Sequence, residues 1–362
     1  MRLVLATSSL KHQALWPSPC PLPQVEGSLC QQYCGETLPR PALRAAFSQG
    51  EKGKGGVCEP QTPDRPERSG FTGAFIVGCG DIGRRVARLE QEAGLALTAL
   101  ARSEGSARQL QGVAIAPLRG DLDDPVSLSG LSVQGQILHY LAPPPGEGEG
   151  DPRIQALLAQ LVPGTLPAVV VYVSTSGVYG DCGGAWVDED HPLNPQTDRA
   201  RRRVAAEQAL QAWSSQTGVP AVVLRVPGIY CPGRLPIERV RAGRPLLRED
   251  QSPHSNRIHA DDLAAACFSA ARRGRSGAAY NASDGHPTTM TDYFNRVADL
   301  AGLPHPPHIG IDEARRVLPP AFLSFLEESK RLDNRRMLTE LGLTLRYPDL
   351  DCGLAACLED FR

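Results

Sequence analysis

The chain has 362 residues, enough to bury a full core as one large domain or two smaller ones. Its net charge of −2 gives no global basic field for nucleic acid or an anionic membrane surface, and no apolar run reaches the ~20 residues of a membrane-spanning helix. The ten cysteines are irregularly spaced and contain no C-x-x-C pair, which argues against a disulfide framework, a zinc ribbon or a thioredoxin-type site and for free thiols in a reducing compartment.

Residues 1–70 are punctuated by Pro17, Pro19, Pro21, Pro23, Pro60, Pro63 and Pro66 and show no sustained period of 3.6 or 2. They read as a poorly ordered extension, and an upstream misassigned start codon is one explanation of it. The opening run Leu3–Ala6 is too short for a signal-peptide core, so a cytoplasmic protein is expected. From Phe71 the text alternates: strand Phe75–Val77, helix Ile82–Ala93, strands Leu95–Ala101, Val113–Leu118 and Gln136–Leu141, helix Ile154–Leu161, strand Ala168–Ser174, helix Arg201–Trp213, strand Ala221–Arg225. Such alternation predicts an α/β fold, a doubly wound parallel sheet with helices on both faces. After Pro227 the pieces shorten, with helices near Ala260–Ala271, Thr291–Leu300 and Asp312–Leu318. The expected organisation is a Rossmann-like domain over 71–230. Residues 231–362 then form mainly a smaller substrate lobe, with some segments returning to the sheet.

Gly78-Cys79-Gly80-Asp81-Ile82-Gly83 follows the first strand and opens the first helix, the setting that the G-x-G-x-x-G fingerprint requires. Gly78 permits the tight turn, Gly80 lets backbone approach a pyrophosphate, and Gly83 allows close helix–strand packing. The helix N-terminus then presents unpaired N–H groups to the phosphates. The second strand ends in Arg102-Ser103, where Asp or Glu would bind a ribose 2′-hydroxyl; arginine pairs instead with a 2′-phosphate. NADP is therefore expected over NAD, with NAD remaining open. The alternative for Arg102 is a solvated surface position, since all basic residues but Lys11, Lys52, Lys54 and Lys330 are arginine. Asp121 and Leu122 follow the third strand, and Leu141, Ala142 and Pro143 end the fourth, where they fit an inner pocket wall.

Ser174-Thr175-Ser176-Gly177-Val178-Tyr179-Gly180 closes the fifth strand, and the helix beyond it carries Arg199, Arg203 and Glu207 at i, i+4, i+8. Leu224–Arg234 reads LRVPGIYCPGR, Asn256–Ala264 reads NRIHADDLA, and Tyr280-Asn281 follows. In order and spacing these segments resemble the extended short-chain dehydrogenases/reductases over about residues 71–362, and most of all an atypical subgroup called NAD-dependent epimerase/dehydratase, similar to bacterial YeeZ-type proteins. The resemblance implies that Asp121 and Leu122 lie beside the adenine, a simple turn being the alternative, and that Pro227 and Gly228 belong to the loop beneath the nicotinamide. It also implies Tyr-x-x-x-Lys ahead of a Glu. Counting back from Glu207 puts Arg203 at the Lys position and Arg199 at the Tyr position, and no tyrosine occurs between Tyr179 and Tyr230.

The same alignment places Thr175 at the position of the Ser/Thr that polarises the substrate oxygen. Ser176 and Gly177 stand where dehydratases carry Asp-Glu, which disfavours that chemistry. Arginine binds an anion but is no general base. Arg203 is thus read either as a fixed charge near the cofactor ribose or as half of a solvated Arg203–Glu207 pair. Tyr179 and Tyr230 are candidate replacement acids or packing residues, His259 is a structural turn residue, and Asp188-Glu189-Asp190 is a solvated loop. The candidate catalytic set is Thr175, Tyr179, Arg199 and Arg203, with no metal. The expected function is a NAD(P)-dependent oxidoreductase or epimerase acting on a nucleotide-sugar-like or small carbonyl substrate. A non-catalytic NADP-binding sensor or scaffold is the alternative. Neither nucleic acid nor membrane is expected as a partner, and the oligomer is a monomer or homodimer.

Overall fold

The computed structural model describes residues 67–358, so the extension expected over 1–70 lies outside the described residues apart from positions 67–70. A seven-stranded sheet organises them. Its first five strands are β1 (Ala74–Val77), β2 (Leu97–Ala101), β3 (Ala116–Arg119), β4 (Ile137–Tyr140) and β5 (Val169–Thr175), followed by Ala221–Val226 and Ala279–Asn281. Every pairing is parallel, and from one edge the order runs 279–281, 221–226, β5, β4, β1, β2, β3. The chain therefore winds one way from β1 to β3 and the other way from β4 onward. That reversal opens a crevice outside the carboxyl ends of β1 and β4.

Strand periodicity builds the two layers. Ala74 and Ile76 face one hydrophobic cluster with helix α1 (Asp81–Glu92) and the helix Ala260–Arg273. Phe75 and Val77 face the other, with α3 (Pro152–Gln160) and α4 (Asp198–Thr217). Between β2 and β3 lies α2 (Glu104–Gln111), a helix the sequence pattern does not reveal: it is only eight residues long, and its register is set by a Ser103–Ser106 capping box.

Two buried carboxylates inside this body are paired. Glu90 on α1 accepts from Arg272 at 2.7 Å and meets His139 of β4 at 2.9 Å, which ties both helices of one layer to the sheet. On the opposite side Glu207 accepts from Ser174 and, at 2.9 Å, from Arg225. Arg225 also donates to the Tyr179 hydroxyl at 2.9 Å and the Glu189 carbonyl at 3.0 Å, and Tyr179 donates to Asn281 at 2.8 Å. Two expectations are corrected here. Glu207 pairs with Arg225 rather than with Arg203, because the helix turns it into the sheet instead of into water. Glu189 is 7% exposed and accepts from the Asn281 N–H at 2.8 Å, so the acidic run is not wholly a solvated loop.

The Glu207–Arg225 pair is nearly solvent-free, so removing one partner strands the other charge. Arg225→Met should lower the unfolding free energy by about 3–5 kcal/mol. Urea denaturation checks it, and Glu207→Gln added to Arg225→Met should cost less than the sum of the two single changes.

Candidate functional site

A cleft of about 1000 Å³ occupies the crevice, walled by the ends of β1, β4, β5 and the strand Ala221–Val226. Gly78, Gly80, Asp81, Ile82, Gly83, Leu141, Pro143, Thr175, Arg199, Arg203, Pro227 and Gly228 all line it, so residues dispersed over 151 positions of sequence converge.

The glycine loop has the geometry of a dinucleotide cradle. Gly78 sits at φ +90°, and a Cβ there would lie 2.6 Å from the Ala142 nitrogen. A Cβ on Gly83 would lie 2.7 Å from the Gly78 carbonyl oxygen. Both positions are thus closed to side chains by backbone alone. Gly80 differs: its Cβ would meet nothing within 4 Å. It heads α1 without a side-chain cap, which leaves the first-turn N–H groups for a ligand. A second cavity of about 280 Å³ adjoins the loop and is lined by Cys79, Arg84, Arg102, Ser103, Ser106 and Gln109 among others. Neither Arg84 nor Arg102 has a carboxylate within ion-pair distance among the described residues. The Ser103 hydroxyl is committed to the Ser106 N–H at 3.1 Å. Uncapped N–H groups, open space at Gly80 and two cations without a salt bridge among the described residues, Arg84 on α1 and Arg102 just beyond β2, fit a dinucleotide.

Thr175 ends β5, and its hydroxyl oxygen accepts from the Gly177 N–H at 3.3 Å, which leaves the hydroxyl hydrogen for another acceptor. On α4, Arg203 turns its Nη1 to the carbonyls of Ala142 at 3.4 Å and Val173 at 3.1 Å, and to the Tyr172 hydroxyl at 2.9 Å. A single turn of one helix thus serves two purposes: Glu207 anchors it and Arg203 caps the strand ends. Arg199 stacks its guanidinium 4.5 Å from the Phe325 ring centre. Neither arginine forms a salt bridge among the described residues.

Several expected site residues lie elsewhere. Tyr179 is 1% exposed, its hydroxyl is held by Arg225 and Asn281, and burial pushes its pKa far above the usual phenol value. It packs behind the cleft and does not line it. Tyr230 is likewise buried, directed at the Asp349 carbonyl at 3.4 Å. Asp121 and Leu122 do not line either cavity: the Asp121 carboxylate accepts from the Asp123 N–H at 3.0 Å and closes its own turn. Ala142 contributes its carbonyl to Arg203 rather than a side-chain wall. His259 is 1% exposed, accepts from the Asp261 N–H at 3.2 Å, and is pushed down by burial to a pKa of about 4, a neutral turn residue.

Other lining residues escaped the sequence reading. Lys330 is buried and donates to the Gly180 carbonyl at 2.6 Å and Glu328 at 2.7 Å. Arg257, Tyr293, Phe294, Phe322 and Phe325 line the end of the cleft contributed by the C-terminal half. The scarcity of lysine was the signal that singles out Lys330; no local motif marks the aromatic residues.

A parallel sheet with its topological reversal under a glycine loop defines a dinucleotide-binding α/β protein. A model of the NAD dependent epimerase/dehydratase family matches residues 151–283. The structure of a functionally unknown conserved protein from Silicibacter pomeroyi DSS is 33% identical, with 80% of this chain and 99% of that one covered at a TM-score of 0.69. The human (Homo sapiens) dTDP-D-glucose 4,6-dehydratase is 28% identical over 119 residues, 31% of this chain and 34% of its own. The chain thus spans about a third of the length of the curated relatives it matches. A dTDP-glucose 4,6-dehydratase from Bacillus anthracis, solved in complex with NAD, shares the fold at 17% identity and a TM-score of 0.64, covering 80% of this chain and 96% of that one. Residues 151–283 thus match the NAD dependent epimerase/dehydratase family, and the described residues share the fold of its solved members. Among the described residues no helix is long and apolar enough to cross a membrane.

The two kinds of glycine separate in experiment. Gly78→Ala should lower the thermal midpoint by several degrees, roughly as for a strained positive-φ position. Gly80→Ala should leave it within about 2 °C yet weaken dinucleotide binding at least about tenfold. Calorimetric melting and dinucleotide titration together read both effects.

Proposed function

We propose that the protein is a NAD(P)-dependent oxidoreductase or epimerase that works without the Tyr-x-x-x-Lys pair, on a nucleotide-sugar-like or small carbonyl substrate. The observation that carries this reading is the placement of Arg203 and Thr175 in one cleft with the glycine loop. Residues 71–230 make the dinucleotide half, and those after 231 contribute mainly the substrate lobe, with Ala279–Asn281 returning to the sheet.

In this reading Gly80 and the first turn of α1 bind the pyrophosphate, and Arg102 with Arg84 receives a 2′-phosphate, so that NADP is preferred. A bound nicotinamide supplies hydride chemistry. Thr175 donates its free hydroxyl hydrogen to a substrate oxygen and orients it. Arg203 offers permanent positive charge where the family carries Lys. Its Nη1 is spent on strand-end acceptors, so it acts by position and field rather than by moving a proton. Arg199, one turn earlier, steers an anionic group. Pro143 and Pro227 exclude water from the floor.

One observation favours a second reading. Both candidate tyrosines, Tyr179 and Tyr230, are buried away from the cleft, so neither stands ready to transfer a proton to a ligand there. A protein of that kind binds NADP and signals or scaffolds without turnover. Turnover of any member of a panel of carbonyl compounds with NADPH supports the enzyme; NADP binding with no turnover across the panel supports the sensor.

Cofactor choice has its own test. The full chain should bind NADP about tenfold or more tightly than NAD, and Arg102→Ala should narrow that gap. Equal affinities in the unmodified protein, read by fluorescence titration, count against the NADP assignment. Restoring the family pattern with Arg199→Tyr and Arg203→Lys together should create or raise carbonyl reduction. Unchanged activity in a folded double variant would show that more than this pair is missing.

A further inference from the structure

Arg257 stands out among the cations of the cleft. It is 7% exposed, yet no carboxylate lies within ion-pair distance of it among the described residues. Its Nη1 donates to the Asn256 carbonyl at 3.0 Å, its Nη2 rests 3.5 Å from the Met290 sulfur, and its Nε has no partner. The guanidinium lies 3.9 Å from the centre of the Tyr293 ring. Weak acceptors and a π-face do not replace the hydration that the charge gives up, and a buried unpaired charge is among the costliest features a fold retains. Asp284 acts on it electrostatically without forming an ion pair. Burial lifts that carboxyl to a pKa of about 7, so its compensation is incomplete at neutral pH. A counter-charge brought by a ligand resolves the imbalance.

The surroundings narrow the ligand. Met290, Tyr293, Phe294 and Phe322 line the same cleft and present apolar and aromatic surface. The polar side chain that precedes Arg257 is committed internally: Asn256 donates to the Lys330 carbonyl at 3.0 Å and accepts from the Leu332 N–H at 2.8 Å. Ser255 is directed at the Thr288 carbonyl at 3.5 Å. A ribose and a base need several free partners here; one guanidinium and an aromatic wall suit a compact anion.

We propose that Arg257 is the oxyanion anchor of the substrate pocket, and that the substrate is a compact carbonyl compound whose carboxylate or phosphate docks on it while its apolar body lies against Tyr293, Phe294 and Phe322. This rests on the dinucleotide-dependent reading above and chooses the small carbonyl class within it. The carbonyl then points back toward Thr175, and the anion fixes which end of the substrate does so.

Calorimetric titration of the full chain, with and without saturating NADP, tests the anchor with benzoate, phenyl phosphate, UDP and uncharged benzyl alcohol as probes. Benzoate or phenyl phosphate should bind and raise the melting temperature, and the stronger of the two identifies the oxyanion; benzyl alcohol should not bind. Arg257→Gln should weaken that binding about 10- to 100-fold, with NADP affinity unchanged. Arg257→Lys should recover part of it. Should Arg257→Gln fail to fold, Tyr293→Leu must weaken the aromatic anions, and the melting shift of the unmodified protein still reads binding. Small anions that fail to bind, or that bind equally well to a folded Arg257→Gln, overturn the proposal. UDP binding more tightly than either small anion overturns the compact substrate class. Loss of NADP binding in the unmodified protein strikes the dinucleotide reading instead and is seen in a separate titration.

Discussion

The geometry of the cleft depends on one buried ion pair. Glu207 and Arg225 meet at 2.9 Å with almost no solvent, and Ser174 supplies a further hydrogen bond to the carboxylate. A carboxylate in that position would be intolerable alone, and so would the guanidinium; together they pin α4 to the strand ends of the sheet. Helical periodicity does the rest. One turn before Glu207 stands Arg203, and one turn before that Arg199, both delivered to the cleft by the register that the ion pair fixes. Arg225 also holds Tyr179, so the pair keeps the VYG segment folded back into the core.

Charge in the cleft is unevenly compensated. Asp81 is shared by Arg85 and Arg234, and Glu328 holds Lys330. Arg199, Arg202, Arg203 and Arg257 line the same space without a salt bridge among the described residues. They rest on carbonyls, a sulfur and aromatic faces instead. A chain whose overall charge is −2 therefore concentrates positive potential in one concavity, where low-dielectric walls strengthen it. Net charge says nothing of this, because it averages over a surface on which the counter-charges lie elsewhere.

How much of this could be read from the residues alone follows from sequence distance. The glycine loop, the strand alternation and the Arg199–Arg203–Glu207 spacing are local patterns, and each was legible because turn geometry and helix period act over a few residues. The partner of Glu207 was not, since Arg225 lies on a strand 18 positions later and only the sheet order brings it near. Tyr179, four residues beyond Thr175, reads from sequence as a candidate acid or a packing residue, and local pattern does not choose between them. The short 3-10 turn over Ser176–Tyr179 reverses its direction and hands its hydroxyl to Asn281, 102 residues away. Arg257 lay in plain view inside NRIHADDLA, yet its isolation from carboxylates is a property of three-dimensional packing. The aromatic wall comes from two separate helices whose sequences carry no mark of a shared cavity.

The single lysine of the cleft has a practical corollary. Lys330 is the only lysine within residues 67–358; the other three stand at 11, 52 and 54. Held between the Gly180 carbonyl and Glu328, its amine is a poor nucleophile in the folded state. Amine-directed reagents such as succinimidyl esters and lysine crosslinkers thus find no reactive side-chain handle on the folded body, and any label they leave there reports that the Lys330 contact has opened. Tryptic peptides of this region end almost wholly at arginine, which makes such a label easy to assign by mass.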